Sequence, residues 1–308
     1  MFDSNLLSLS RLVPKICHIE NSMHPRLSDR FAPTVILSTP QVGSFPKATN
    51  CWRVWAFTVG LAASLLSSML PLTAQAQNPA SSAPAQLTTL LTQMDAATNA
   101  RNLNTVVDLY GSNFSSTDGL NRQSLQQSLS SLWKRYPKLS YQTELKSWKN
   151  EGNGIVANTI TRITGTFQEG DREYNLDSTL ESRQRIENQK VVRQEIVNER
   201  SQITSGVNPP TLKLNLPSQV NRGQEFSFDA IVQEPLGDDL LLGAALEETI
   251  KPEGYLNATT INLEPLNSGG IFKVGKAPAN SEQHWLSAVV VRHDGITMVT
   301  QRLRIVGN

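Results

Sequence analysis

Cysteine is almost missing from this chain, and the two it has, Cys17 and Cys51, both stand near the N-terminus. Beyond them neither a disulfide nor a thiolate metal site can form. Histidine is nearly as scarce. His18 and His24 share the N-terminal stretch, His284 and His293 lie near the other end, and none occurs between Ala85 and Ser205. Imidazole acid-base chemistry is therefore excluded from that long segment. Charge of one sign is also lacking: from Gln77 onward 22 Lys and Arg stand against 24 Asp and Glu, a net of −2. No basic footprint points to nucleic acid, and no basic amphipathic helix points to a membrane surface.

One long uncharged run is present, Val54 to Leu72, and its setting explains it. Lys47 and Arg53 precede it, Pro71 lies at its end, and the small-residue box Ala74-Gln75-Ala76 follows. That order predicts a signal peptide over residues 47–76, cleaved after Ala76, and a periplasmic or secreted protein. The alternative is an uncleaved anchor, since the run is about long enough to cross a bilayer; Ser64, Ser67 and Ser68 dilute it. Residues 1–46 hold five prolines and no periodic pattern, and read as a disordered leader or as sequence upstream of the true start. Residues 77–84 read as a flexible Pro/Ala/Ser linker.

Helical spacing begins at Leu87. Leu87, Leu90, Leu91, Met94 and Ala97 share one side of a helix ending near Arg101; Leu103, Val106, Val107 and Tyr110 mark a second; Leu125, Leu129, Leu132 and Trp133 mark a third, closed by Pro137. From Leu139 the period drops to two. Tyr141, Thr143, Leu145 and Ser147 alternate with polar neighbours, and strands follow over Ile155–Phe167, Tyr174–Ile186 and Val191–Glu199. Three helices followed by an antiparallel meander predict an α+β cone over residues 85–205, with a curved sheet wrapping the helices.

The stretches LNTVVDLYGSNFSSTDG and GNGIVANTITRITGTF, with a helix between them, resemble the nuclear transport factor 2-like superfamily, including its SnoaL-like members. The resemblance implies a cone whose open end forms an apolar pocket, used for catalysis in some members and for binding or assembly in others. Tyr110, Trp133, Tyr141 and Trp148 are the candidate ligand-binding residues of such a pocket. Enzymes of this kind use a pocket carboxylate as base, and the nearest candidate is Asp118. Its place in Ser116-Thr117-Asp118-Gly119 reads instead as a turn, its carboxylate accepting backbone N–H bonds there or at the start of the third helix. On that reading Asp118→Asn costs at most about 1 kcal/mol. Asp177, Glu181, Arg183 and Arg185 read as the solvated face of the sheet, tied to Arg193, Glu195 and Glu199 by cross-strand pairs. No catalytic residue is assigned, and no cofactor or metal is expected.

Residues 206–210 form a short Pro-stiffened linker, and beyond them every element reads as strand: 211–216, 225–233, 240–247, 256–263, 271–274, 284–292 and 297–306. Seven short strands predict an all-β sandwich over 211–308. The pattern resembles immunoglobulin-like or fibronectin type III-like modules, without the inter-sheet cysteine pair. Two independently folding cores are expected on either side of the linker. His284 and His293 read as surface residues, and Asp238-Asp239 falls short of a calcium site.

The whole reads as an exported, non-catalytic protein that holds a small apolar ligand or docks an envelope protein, with a homodimer left open and no nucleic-acid partner. The alternatives are a cofactor-free isomerase, lyase or hydrolase using the cone pocket, and a structural spacer whose pocket is filled by side chains.

Overall fold

A computed structural model of the chain describes residues 77–237, 239–255, 261–266, 269–280 and 282–307. The leader and signal peptide expected in residues 1–76 lie outside the described residues, as do Asp238 and most of the strand expected at 256–263.

Three helices form where the 3.6-residue spacing places them. Helix α1, Ala85–Asn99, buries Leu87, Leu90, Leu91, Met94 and Ala97 along one side. It stops where Arg101 turns to a φ of 55°, outside the right-handed region. Helix α2, Leu103–Asp108, is capped by Asn102, whose side chain accepts from the Thr105 N–H. Helix α3, Arg122–Arg135, opens on a reciprocal capping box between Asn121 and Ser124, each bond 2.9 Å long. It turns Leu125, Leu129 and Leu132 inward.

The helices pack on a meander. Strand β1 is the two-residue piece Asn78–Pro79 and β2 is Tyr110–Ser116; β3 (Lys138–Glu151), β4 (Gly154–Glu169), β5 (Arg172–Glu187) and β6 (Lys190–Gly206) then follow as antiparallel neighbours. The sequence anticipates neither β1 nor β2. In place of a free tether, Asn78 and Pro79 pair with Trp148 and Ser147 of β3.

Bulges decide which face many of these side chains take. In β3 the ladder skips Lys146, so Leu145 faces the helices, Trp148 also faces them, and Ser147 and Lys149 turn outward. In β6 it skips Val192 and Val197, so Arg193 and Glu195 lie outside while Glu199, Ser201 and Ile203 lie inside. One extra residue exchanges the faces of everything after it. Ser147 and Glu199 are thus on the opposite faces from those expected of unbroken alternation.

The remaining strands are β7 (Leu212–Asn215), β8 (Gln219–Asn221), β9 (Glu225–Val232), β10 (Leu242–Thr249), β11 (Glu264–Pro265), β12 (Gly270–Lys276), β13 (His284–Arg292) and β14 (Gly295–Val306). Residues 252–255, which precede the expected 256–263 strand, form a 3₁₀ turn, and 261–263 are not strand. The last strand does not stay with its own half of the chain. β14 pairs with β6 from Gly295↔Gly206 to Gln301↔Arg200, joining the meander to β13, β10 and β11 in one eleven-stranded sheet. β12, β9 and β7 form a separate three-stranded sheet.

This pairing crosses the expected linker, and the two apolar clusters are not divided at it. One apolar cluster holds the helices, the inner face of β3 to β6, and also Ile250, Tyr255, Trp285, Val289 and Met298. A second cluster lies on the opposite face of β13 and β14, where Leu286, Ala288, Val290 and Leu303 meet Phe226, Phe228 and Ile271 of the small sheet. β13 and β14 therefore have apolar residues on both faces, which is why nearly every residue in them is buried. Residues 206–210 are fixed as well. Val207 and Asn208 donate to the Asp294 carbonyl, Arg292 donates to the Asn208 carbonyl, and Thr297 donates to that of Pro210.

Candidate functional site

The edge of β6 is shared by two strands. β2 runs parallel to its first residues, ending at Ser116↔Gln194, and β14 runs antiparallel to its last, ending at Gln301↔Arg200. Where one strand hands over to the other, Asp118 follows the end of β2 and Arg302 follows the last β14 pair. Glu199 comes from β6 between them. Turn geometry brings Asp118 there: Thr117 donates to the Gln194 carbonyl and Gly119 to that of Ser116.

The three charges form one buried cluster. Arg302 donates from Nη1 to Asp118 Oδ1 at 2.9 Å and from Nη2 to Oδ2 at 2.8 Å, and from Nε to Glu199 Oε2 at 3.2 Å. Tyr255 Oη donates to Asp118 Oδ2 at 2.5 Å, and Trp285 Nε1 to Glu199 Oε2 at 2.9 Å. The Tyr255 and Trp285 rings meet edge-on at 4.9 Å, and the Arg302 guanidinium carbon lies 5.9 Å from the Trp285 ring centre. The side chains of Asp118, Glu199 and Arg302 are each 1% exposed.

Burial by itself would raise the Asp118 pKa, but the Arg302 charge and the hydrogen bonds from Arg302 and Tyr255 outweigh it and hold the carboxyl below its ordinary value. Burial pushes the Tyr255 hydroxyl upward, and the Asp118 charge pushes it further, keeping it a donor. Burial opposes the charge on Arg302, while Asp118 and Glu199 more than restore it. Asp118 is thus an ionised carboxylate with both oxygens engaged. Those bonds favour the ionised form and weaken it as a base. Its expected partners are corrected: the helix cap is Asn121, and Asp118 binds the side chains of Tyr255 and Arg302, more than a hundred residues away.

The four aromatic candidates fall in the wall of the helix-sheet core. Tyr110 is 1% exposed and packs edge-on against Phe114 at 4.6 Å. Trp133 Nε1 donates to Tyr141 Oη at 3.2 Å, so these two are brought together; burial raises the Tyr141 pKa. Trp148 is buried on β3 beside the Ala157 pair, apart from the other three in the ladder. The inner face between them is not uniformly apolar. Thr159, Ser182, Gln184 and Gln194 are buried there, Ser178 and Ser201 bond across β5 and β6 at 2.7 Å, and Thr143 and Thr161 across β3 and β4 at 3.1 Å.

Glu199 is the residue that sequence reasoning misplaced. Its Oε1 is buried without a hydrogen-bond partner, where solvent was expected. The only signal in the sequence is an apolar Val197 out of phase, which marks the bulge after the fact. His284 is also not a surface residue: it is buried and its Nδ1 lies 2.7 Å from Glu247 Oε1, whereas His293 is exposed. Among the described residues no group of three or more His, Cys, Asp or Glu is placed to hold a metal ion, and no helix is long and apolar enough to cross a membrane.

Comparison with known proteins gives three results. Residues 207–306 match the family model described as Domain of unknown function (DUF8623). No curated protein matches the sequence. Among solved structures, similarity extends to AclR of Streptomyces galilaeus (20% identity, 37% of this chain and 90% of that one, TM-score 0.29). It extends also to an uncharacterized cystatin fold protein of Novosphingobium aromaticivorans (16%, 37% and 99%, TM-score 0.26). A third is a protein of ketosteroid isomerase-like fold from Catenulispora acidiphila, solved with trimethylamine (10%, 35% and 82%, TM-score 0.25). Each similarity takes in little more than a third of this chain.

Proposed function

We propose that this is a non-catalytic interaction protein of the cell envelope, exported by the segment 47–76 and built as a cone-shaped unit braced by an immunoglobulin-like sandwich. The observation that carries the reading is the Asp118 carboxylate, which is spent on Arg302 and Tyr255. The carboxylate nearest the position of a catalytic base is thereby a structural anchor. The packing of Tyr110, Tyr141 and Trp148 into the core supports a partner docked on the outside over a large apolar ligand held within. The sandwich reading rests on the small sheet facing β13 and β14 across the second apolar cluster.

Native mass spectrometry of the protein purified from its own host tests this. The expected result is a mature chain beginning at or near Gln77 and retaining a protein partner or a second copy. A retained apolar small molecule, or an intact chain still carrying Arg53, contradicts it.

One observation favours the enzymatic alternative enough to state it. Glu199 Oε1 is a carboxylate oxygen inside the cone with no partner. If the protein turns over any substrate, Glu199→Gln, not Asp118→Asn, is the variant that removes activity with the fold intact.

A further inference from the structure

The outer face of the meander carries a concentration of cations that the near-neutral chain does not have elsewhere in its pattern. Lys149, Arg183, Arg185 and Arg193 line one groove of about 580 Å³ together with Glu151 and Glu195. They lie on three strands, and two of the bulges described above put them there: the one at Lys146 turns Lys149 outward, and the one at Val192 sets the outward position of Arg193. Bulges of this kind commonly re-aim side chains at functional sites.

The carboxylates present are already divided among several cations. Glu151 contacts both Lys149 at 2.6 Å and Arg185 at 3.0 Å, and Arg185 also holds Glu187 at 2.6 Å. Glu195 binds Arg304 at 2.9 Å and reaches Arg183 only at 3.5 Å. Five cations thus meet three carboxylates, and Arg193 has no ion pair among the described residues. Arg193 is nonetheless placed directly opposite Arg185 in the ladder. Like charges at paired positions on antiparallel strands repel. With Arg185 opposite it and Arg183 on the diagonal, Arg193 has cations beside it and, among the described residues, no carboxylate of its own.

We propose that this groove binds an oxyanion group, phosphoryl or carboxylate, held between Arg183 and Arg193. Arg183 pairs with Glu195 and Arg193 with Arg185, so the two stand on the diagonal of adjacent rungs, about 7–8 Å apart at the backbone. Two guanidinium groups at that separation converge on one anion and offer it paired N–H donors. Lys149 and Arg185 add positive charge along the same row, across Val156. On the other side Asn158 donates to Ser147 Oγ at 2.9 Å and Ser147 to Gln77 Oε1 at 2.8 Å, a polar rim for the uncharged part of such a ligand. The site is on the face away from the cone interior and is independent of what that interior holds.

Isothermal titration of the isolated protein at low ionic strength, with inorganic phosphate, pyrophosphate and citrate as separate probes, tests the site. Saturable binding of at least one probe is expected, weakened about tenfold or more in Arg183→Gln and in Arg193→Gln. Arg162→Gln, elsewhere on the outer face, should bind as the parent does. Preference for pyrophosphate assigns a phosphoryl ligand and preference for citrate a carboxylate one. Because Arg193 faces another cation, Arg193→Gln should melt no lower than the parent in the absence of probe, and should lose the probe-induced rise in Tm. Absence of saturable binding by all three probes, equal affinity in all variants, or a melting temperature several degrees lower for Arg193→Gln alone would each overturn the proposal.

Discussion

Arg302 on the last strand and Asp118 after the second strand share two hydrogen bonds, 2.9 and 2.8 Å long, across 184 residues of sequence. Both side chains are buried, so the pair exists only when the two halves of the chain are assembled. Removing Arg302 leaves two buried carboxylates without a cation, and an uncompensated buried charge typically costs about 3–5 kcal/mol. Arg302→Met is expected to destabilise the protein by that amount in urea denaturation. Asp118→Asn leaves Arg302 paired with Glu199 and should cost less than Arg302→Met, about 1.5–3 kcal/mol for hydrogen bonds to a charged group, still more than the 1 kcal/mol or less that a turn or cap role would give. The double variant Asp118→Leu with Arg302→Met still leaves Glu199 buried without its cation, whereas the triple variant that adds Glu199→Gln leaves no charge in the cluster and should lose less than the sum of its single changes.

The same pair sets an acid limit on the fold. The folded Asp118 pKa lies below its unfolded value of about 3.9, so the unfolded state binds the extra proton first. Stability from this group is complete above about pH 4 and is lost as pH falls through the folded value. Denaturation curves taken from pH 7 to pH 2 should show the parent losing stability below about pH 4. Asp118→Leu, weaker at neutral pH, should lose less over that interval.

Cutting the chain within residues 206–210 should not release two autonomous domains. A fragment of 85–205 lacks β14, and with it seven rungs on β6 and the Arg302 guanidinium. Residues 211–308 lack the strand against which β14 closes. Calorimetry of the isolated protein is expected to show one cooperative transition, and the fragment 85–205 none of comparable sharpness. Two well-separated transitions in the parent would contradict the cooperative pairing of β14 with β6.

Gly206 ends β6 with a φ of 100°, and a Cβ there would lie 2.4 Å from the Asp294 carbonyl oxygen. The neighbour is backbone in the turn between β13 and β14, so it has little room to give. Gly206→Ala is expected to cost more than about 1 kcal/mol, measured by urea denaturation, through both strain and the displaced turn. Gly223→Ala, where φ is 71° but nothing lies within 4 Å, should cost less.

Local chemistry made much of the fold readable. The Leu87 to Ala97 stripe, the drop to a period of two after Leu139, and the turns at Gly152 and His293-Asp294 are short-range signals, and the elements formed within a few residues of where they point. The buried faces of α1 and α3 follow from the same spacing. The candidate site was less legible for a physical reason. Asp118 has the same neighbours in sequence whether it caps a helix or binds an arginine 184 residues on, and only strand pairing chooses between them.

Period and turn residues, then, determined which segments are helix and which are strand, because those depend on contacts within a few residues. Three matters were decided by tertiary structure alone. One is the pairing of β14 with β6, which crosses the expected linker and creates the Asp118–Arg302 cluster. The second is the inward turn of Glu199, set by the bulge at Val197, and the third the outward turn of Ser147 and Lys149, set by the one at Lys146. A bulge changes the face of every later residue in its strand while leaving composition and apparent alternation almost unaltered, so it is fixed by the neighbouring strand and not by the sequence that carries it.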